Sequence, residues 1–214
     1  MNDRNRIKIA RIEKDFSINE FDNKDWQKAK EIEAGKYWSG EIAPNGRHFK
    51  AKLLWSDVAL HVRFRANQSE PLIISDTPNL ESKTIGLWDR DVCEIFVAPD
   101  KNNLQKYFEF EIAPSGEWID LKIQQTPNGR QTDFDYDSEM QSAARIEKDK
   151  VLMQLKIGWK AFGKTPKAGD VWRGNLFRCV GAGETRSYLA WQPTRTDEPN
   201  FHVPEAFGEF EFSE

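Results

Sequence analysis

The sequence predicts an all-β protein, an antiparallel β-sandwich of two packed sheets with long loops, and three observations carry that expectation. Apolar residues recur at every second position in roughly a dozen short runs, which is the strand period. Gly, Pro, Asn and Asp cluster between the runs, where turns need them. Almost no segment keeps helical spacing, and short strands separated by turns belong to sandwiches. The chain of 214 residues is long enough for one large core, so residues 1–214 read as a single domain. Hydrophobic residues make up only 38%, but eight Trp and fourteen Phe supply large buried area per residue, which argues against disorder.

Charge narrows the partners. Thirty-one Lys and Arg stand against thirty-five Asp and Glu, a net charge of -4, so the chain lacks the basic field that concentrates nucleic acid or an anionic membrane. No apolar run is long enough to span a bilayer, and the first residues lack the apolar stretch of a secretory signal. A soluble protein is expected: secreted or periplasmic if a leader has been removed, otherwise cytoplasmic. Cys93 and Cys179 sit far apart in apparent strands and read as buried free thiols, with one cross-sheet disulfide as the alternative. No CxxC or Cys/His cluster proposes a zinc site.

Residues 6–12 alternate charged and apolar side chains and predict a first strand at a sheet edge. Asp22, Asn23 and Asp25 before Trp26 predict a turn and one helical turn. Residues 48–66 form a hairpin about Ser56 and Asp57. A long polar loop over residues 67–87 then delivers the chain to Trp88, and long loops in compact domains are more often functional than idle.

Residues 88–120 organise the rest. Three consecutive strands are expected over residues 91–98, 106–113 and 117–124, with Cys93, Ile95 and Val97, then Phe108, Phe110 and Ile112, then Ile119, Leu121 and Ile123 facing the core. The opposite face would gather Glu94, Glu109, Glu111, Trp118 and Asp120, with Trp88 at its mouth. Downstream, residues 142–159 form a hairpin, two more strands flank Gly181 and Gly183, and a loop with two prolines leads to a closing strand with Phe210 and Phe212 inward.

A polar sheet face dotted with aromatics suits a saccharide, whose rings offer apolar C–H faces and a rim of hydroxyls. A solvated strand face explains the same glutamates, since alternating polar residues on an exposed sheet are the norm. A glycoside hydrolase is one rival, because Glu109 and Glu111 would stand roughly 6.5 to 7 Å apart along one strand, within the spacing such enzymes use. A haem-binding domain is another, but His48, His61 and His202 read as surface residues, His61 pointing outward beside Arg63 and Arg65, and no axial pair with Met140 or Met153 emerges. No G-x-S-x-G elbow is present.

Four pieces taken together carry a family resemblance: WDRDVCEIFVAP at residues 88–99, FEIAPSG at 110–116, YLAWQP at 188–193 and PNFHVPEAFG at 199–208. With the hairpin LLWSD and ALHVRFRA ahead of them, they resemble carbohydrate-binding module family 9, often appended to xylanases, and more broadly the DOMON-like sandwiches. That resemblance covers nearly the whole chain. It implies a non-catalytic domain associated with the breakdown of polysaccharides such as xylan or cellulose. The ligand would lie between two aromatics, Trp88 and Phe201, over Glu94 and Glu111, with Glu109 and Asn200 at the margin. Phe201 stands where the best-matched members carry Trp, and Glu111 where some carry a basic residue. Family members can hold structural calcium. Here the acidic stretches at Asp89 and Asp91, at Asp100 with Asn102 and Asn103, and at Asp133, Asp135 and Asp137 read as ordinary turn chemistry, so no cofactor or metal is expected and folding should not require calcium.

Overall fold

The computed structural model describes residues 5–214, so the first four residues of the expected domain lie outside the described residues. The alternating runs become fourteen strands in chain order: β1 (Arg6–Arg11), β2 (Ile32–Ala34), β3 (Lys36–Tyr37), β4 (Phe49–Trp55), β5 (Ala59–Asn67), β6 (Val92–Ala98), β7 (Lys106–Ile112), β8 (Trp118–Thr126), β9 (Gly129–Asp133), β10 (Gln141–Ile146), β11 (Lys150–Gly158), β12 (Val171–Val180), β13 (Ser187–Ala190) and β14 (Gly208–Ser213). Among the described residues helix is confined to single 3-10 turns, one of them, Lys24–Gln27, at the expected place around Trp26.

Local chemistry fixes the turns. Between β4 and β5 the Ser56 hydroxyl accepts from the backbone N–H of Val58 and Ala59. Between β6 and β7 the Asp100 carboxylate accepts from the Asn102 N–H at 2.9 Å. Both are the side-chain-to-backbone bonds that make Ser and Asp turn residues. The β7–β8 turn closes on Gly116, whose φ of 90° few other residues tolerate.

The strands join in one mixed sheet, in the order β10-β11-β5-β4-β1-β14-β12-β6-β7-β8-β9. The fold is thus all-β as expected, but a single curled sheet replaces two separate antiparallel ones. The cause is β1. Instead of lying at an edge it pairs in parallel with both β14 and β4 and splices the two wings together. Its buried Ile7 and Ile9 register with Phe210 and Phe212, so one row of apolar side chains continues across the splice.

The main core lies between the facing wings. Phe49, Leu53, Val62, Phe64, Met153 and Leu155 come from one wing, and Cys93, Ile95, Val97, Phe110, Ile112, Leu176 and Trp172 from the other. Trp172 packs edge-on against Phe212 with centroids 4.8 Å apart. Met140, from the acidic loop before β10, is buried in this core as well.

Register corrects one strand assignment. β6 and β7 face as expected, but β8 is slipped by one residue: Ile119, Leu121 and Ile123 stand opposite Glu111, Glu109 and Tyr107, on the acidic side of the sheet. Asp120 and Trp118 stand opposite Phe110 and Ile112, on the core side. Burying Asp120 there is tolerable because Lys83, from the long polar loop, reaches it at 2.6 Å and the Ser138 N–H donates to it at 2.6 Å. Periodicity could not reveal the slip, because alternation shows that Ile119, Leu121 and Ile123 share one face of β8 but not which side of the sheet that face joins.

The acidic side is the second correction: it is not solvated. Phe96, Tyr107, Leu121, Phe177, Phe201 and Phe207 form a further apolar layer over β12, β6, β7 and β8. On the other wing, His61 is buried too, beneath Phe16 at 4.4 Å and against Asp15 at 2.8 Å, because the segment between β1 and β2 folds over the face where it was expected to meet solvent.

Candidate functional site

The layer over β6, β7 and β12 encloses a cavity of about 300 Å³. Trp88, Phe96, Tyr188 and Phe201 give it apolar walls, and Glu94, Glu109, Asn200, His202 and Arg130 line it with polar groups. Trp88 and Tyr188 are only half-buried, while Phe96 is fully buried and Phe201 nearly so.

Each wall has an identifiable support. Trp88 sits in the 3-10 turn Leu87–Asp89, entered through Gly86 in the left-handed region at φ 81° and anchored by buried Leu87. Arg186 donates to the Trp88 carbonyl and lies over the Tyr188 ring at 5.4 Å. Behind them buried Asp91 accepts from the Gly181 N–H at 2.9 Å and the Ile73 N–H at 3.2 Å, tying the turn after β12 and the start of the long loop to the residue before β6. Phe201 lies flat on Phe177, centroids 4.0 Å apart and planes 12° from parallel, and meets Tyr188 edge-on at 6.0 Å. Asn200 turns its carbonyl oxygen back to the His202 N–H at 2.9 Å, which sets the bend carrying Phe201.

Glu94 and Glu111 stand directly opposite each other on β6 and β7, and Glu109 is two residues along β7. Their nearest oxygens all lie within 4.8 Å of one another. Glu94 is 2% exposed, Glu109 4% and Glu111 0%. Glu94 accepts only a weak bond from the Cys179 thiol at 3.3 Å. Glu109 Oε2 and both oxygens of Glu111 receive no donor. Burial pushes the Glu94 carboxyl up to about 8, with a further push from Glu109. Burial likewise raises Glu109 to about 7 and Glu111 well above the carboxylate range, the latter driven also by Glu94 and Glu109. Near pH 7 the trio therefore retains protons, and a proton held between Glu109 and Glu111 supplies the donor that two carboxylates lack.

His202 adds a polar relay at the wall. Burial, with help from Arg130, lowers its pKa to about 3, so it is neutral. Gln125 donates to the Tyr107 hydroxyl at 3.1 Å, and that hydroxyl lies 2.9 Å from His202 Nδ1. The bonding is best satisfied when Tyr107 donates to Nδ1, which assigns the histidine proton to Nε2, 3.9 Å from Glu109 Oε2.

Of the residues expected from the sequence, Trp88, Glu94, Glu109, Asn200 and Phe201 meet at this one cavity; Glu111 lies beneath, in contact with the other two acids but not on the lining. Sequence reasoning missed Tyr188, His202, Arg130, Phe96 and Cys179. Tyr188 stood within the YLAWQP piece, but its direction depends on pairing with Cys179 across β12, which alternation alone does not give. Glu94, Glu109 and Glu111 could together hold a cation. Cys93 and Cys179 are free and buried on opposite faces of the sheet.

Residues 20–214 match the sequence model of the family described as carbohydrate family 9 binding domain-like. No curated protein matches significantly in sequence. Among solved structures, a putative carbohydrate-binding protein from Bacteroides uniformis superposes with a TM-score of 0.73 at 14% identity, covering 97% of this chain and 99% of that one. A carbohydrate binding module family 9 from Caldicellulosiruptor kristjanssonii in complex with glucose gives 0.68 at 16% identity, covering 97% and 95%. One from the same organism in complex with cellotriose gives 0.66 at 18% identity, covering 97% and 93%. At these identities the structures establish likeness of fold, and the match over residues 20–214 establishes kinship: this chain belongs to the carbohydrate family 9 binding domain-like family.

Proposed function

We propose that this chain acts as a single non-catalytic carbohydrate-binding domain, and that a sugar unit enters the cavity between Trp88 and Tyr188. The observation that carries this reading is the juxtaposition of two half-exposed aromatic rings with buried polar groups in one cavity of about 300 Å³. Apolar walls with a few convergent polar groups are the usual composition of a small-molecule site. Trp88 offers its face to the C–H side of a ring, Glu94 and Glu109 meet its hydroxyls, Asn200 and Phe201 close the far side, and Glu111 acts through the other two acids. The structural neighbours solved with glucose and cellotriose support a glucose-type ligand, and association with xylan or cellulose breakdown remains part of the proposal.

The carboxylates favour binding over hydrolysis. A glycosidase needs one acid kept protonated and another ionised, with environments that push the two apart. Here all three are pushed in the same direction by the same burial. For haem, Met140 and Met153 lie in the core between the wings, on the opposite side of the sheet from His202. Isothermal titration with glucose, cellobiose, cellotriose and xylotriose tests the proposal, alongside an assay for new reducing ends. Saturable binding without release of reducing ends is the expected result; release of reducing ends would replace it with the hydrolase reading.

A further inference from the structure

The carbohydrate reading leaves the acid trio unexplained. Neutral sugars need hydroxyl partners, and one ionised carboxylate with an amide or a histidine suffices for them. Three buried carboxyl groups within 4.8 Å, with no lysine or arginine in ion-pair contact among the described residues, ionise together only at an electrostatic cost that neutral hydroxyls do not relieve. The charged groups around them are turned elsewhere. Arg186 is committed to the carbonyls of Gly181 and Trp88, exposed Arg130 stands at the mouth with Asp89, and His202 is neutral. Independently of the clustering, Glu109 is 96% buried, lines the cavity and has an oxygen, Oε2, that receives no hydrogen bond.

Building on the carbohydrate reading, we infer that the ligand is a saccharide bearing a free ammonium group, a hexosamine, with its nitrogen over the oxygens of Glu94 and Glu109, which Glu111 backs from beneath. An ammonium carries three N–H donors and no acceptor, and its positive charge displaces the protons the ligand-free trio holds, leaving carboxylates that accept from it. A sugar ring between Trp88 and Tyr188 places its substituents toward Glu94 and Glu109, and charge-assisted bonds to buried carboxylates are the strong ones. A hard divalent cation fits less well. It takes about six to eight oxygens, and the cluster brings together three carboxylates. A lysine side chain from another protein would leave the aromatic walls unused, since the cavity of about 300 Å³ has room for a ring.

The test is titration of the full chain at pH 6.5 with glucosamine, N-acetylglucosamine and glucose, repeated at pH 9, where an amine of this kind is largely neutral. Glucosamine should bind at least tenfold more tightly than either comparator at pH 6.5, and the preference should vanish at pH 9. In Glu109→Gln the preference should shrink to about twofold or less, and the pH comparison on the unaltered chain stands even where that variant folds poorly. Equal binding of glucose and glucosamine overturns the inference and keeps the carbohydrate reading; no binding of any sugar overturns both. A preference that persists at pH 9 removes the trio from its explanation. A rise in melting temperature with calcium or manganese alone, absent with glucosamine, assigns the trio to a metal and overturns the inference as well.

Discussion

Asp120 and Glu111 are both fully buried carboxyl groups on neighbouring strands of the same sheet, yet their surroundings are opposite. Asp120 faces the core between the wings and meets Lys83 at 2.6 Å and the Ser138 N–H at 2.6 Å. Glu111 faces the cavity layer and meets only two more acids. Inside one fold, then, a buried carboxylate that serves architecture has its counter-charge built in. One that lacks it has been left for protons or for a ligand. Buried polar groups are normally paired, so the exception marks the site more sharply than the aromatics do.

The largest expected effect breaks the partnered half. Lys83→Met strands Asp120 uncompensated in the core, and removal of one member of a buried pair costs about 3 to 5 kcal/mol. Urea unfolding should show a loss of that order. A loss below about 1 kcal/mol would mean that solvent reaches Asp120 and that the contrast with Glu111 is overstated.

Next comes pH, which sharpens the unpartnered half. Glu94 and Glu109, at about 8 and 7, and Glu111 all have folded pKa values raised above the ordinary range, so the native state holds protons that the unfolded chain releases near pH 4.5. Their contribution is fully present below that pH and is lost as pH rises through 7 to 8, an effect of a few kcal/mol. His202, lowered to about 3, acts the other way: its contribution is full above pH 6.5 and is lost as pH falls toward 3. Ligand-free stability should therefore peak between about pH 4.5 and 6.5 and decline toward pH 8. Glu111→Gln should flatten that decline and leave the protein as stable as, or more stable than, the unaltered chain at pH 8. An unaltered slope in Glu111→Gln would show that the trio is ionised and solvated.

The same contrast explains how far the sequence could be read. Alternation at residues 92–97 and 107–112 placed Glu94, Glu109 and Glu111 on one face correctly, because each of those strands interrupts a row of apolar residues with acids on one side only. It failed at β8, where Ile119, Leu121 and Ile123 form as good an apolar row as any, and Asp120 looked like the exposed alternate. Lys83, thirty-seven positions away, and the Ser138 N–H make its burial tolerable. Trp88 was legible because a long loop ends on it. The lid over the acids was not: Phe96, Tyr107, Phe177 and Phe201 come from β6, β7, β12 and the loop before β14, and their convergence is a matter of register and tertiary packing rather than local pattern. The parallel insertion of β1 was hidden for the same reason.

Trp88→Ala separates binding from stability. Its indole is half-exposed, so the melting temperature should move little. Loss of a central aromatic anchor costs about 2 kcal/mol or more, roughly thirtyfold in affinity. Titration with the preferred saccharide decides it, and unchanged affinity would place the ligand outside this cavity.

The smallest expected effect concerns the second wall. From the sequence, Phe201→Trp should tighten binding if the smaller ring merely undersizes an aromatic clamp. The geometry changes that expectation. Phe201 already spends one face on Phe177 at 4.0 Å, its edge contact to Tyr188 is in place, and it is 8% exposed. An indole there adds volume to a packed layer, which costs about 1 kcal/mol at the low end for overpacking, and it projects only an edge into the cavity. Tyr188, held by Arg186 over its ring and by Trp38 and Phe201 at its edges, is the more exposed second wall facing the cavity, so Tyr188→Ala should weaken binding more than Phe201→Trp strengthens it, the latter by less than about threefold, or under 0.7 kcal/mol. Titrations of the two variants against the same saccharide compare the walls directly. A tenfold gain in Phe201→Trp would return the second wall to Phe201 and reduce Tyr188 to a support for it.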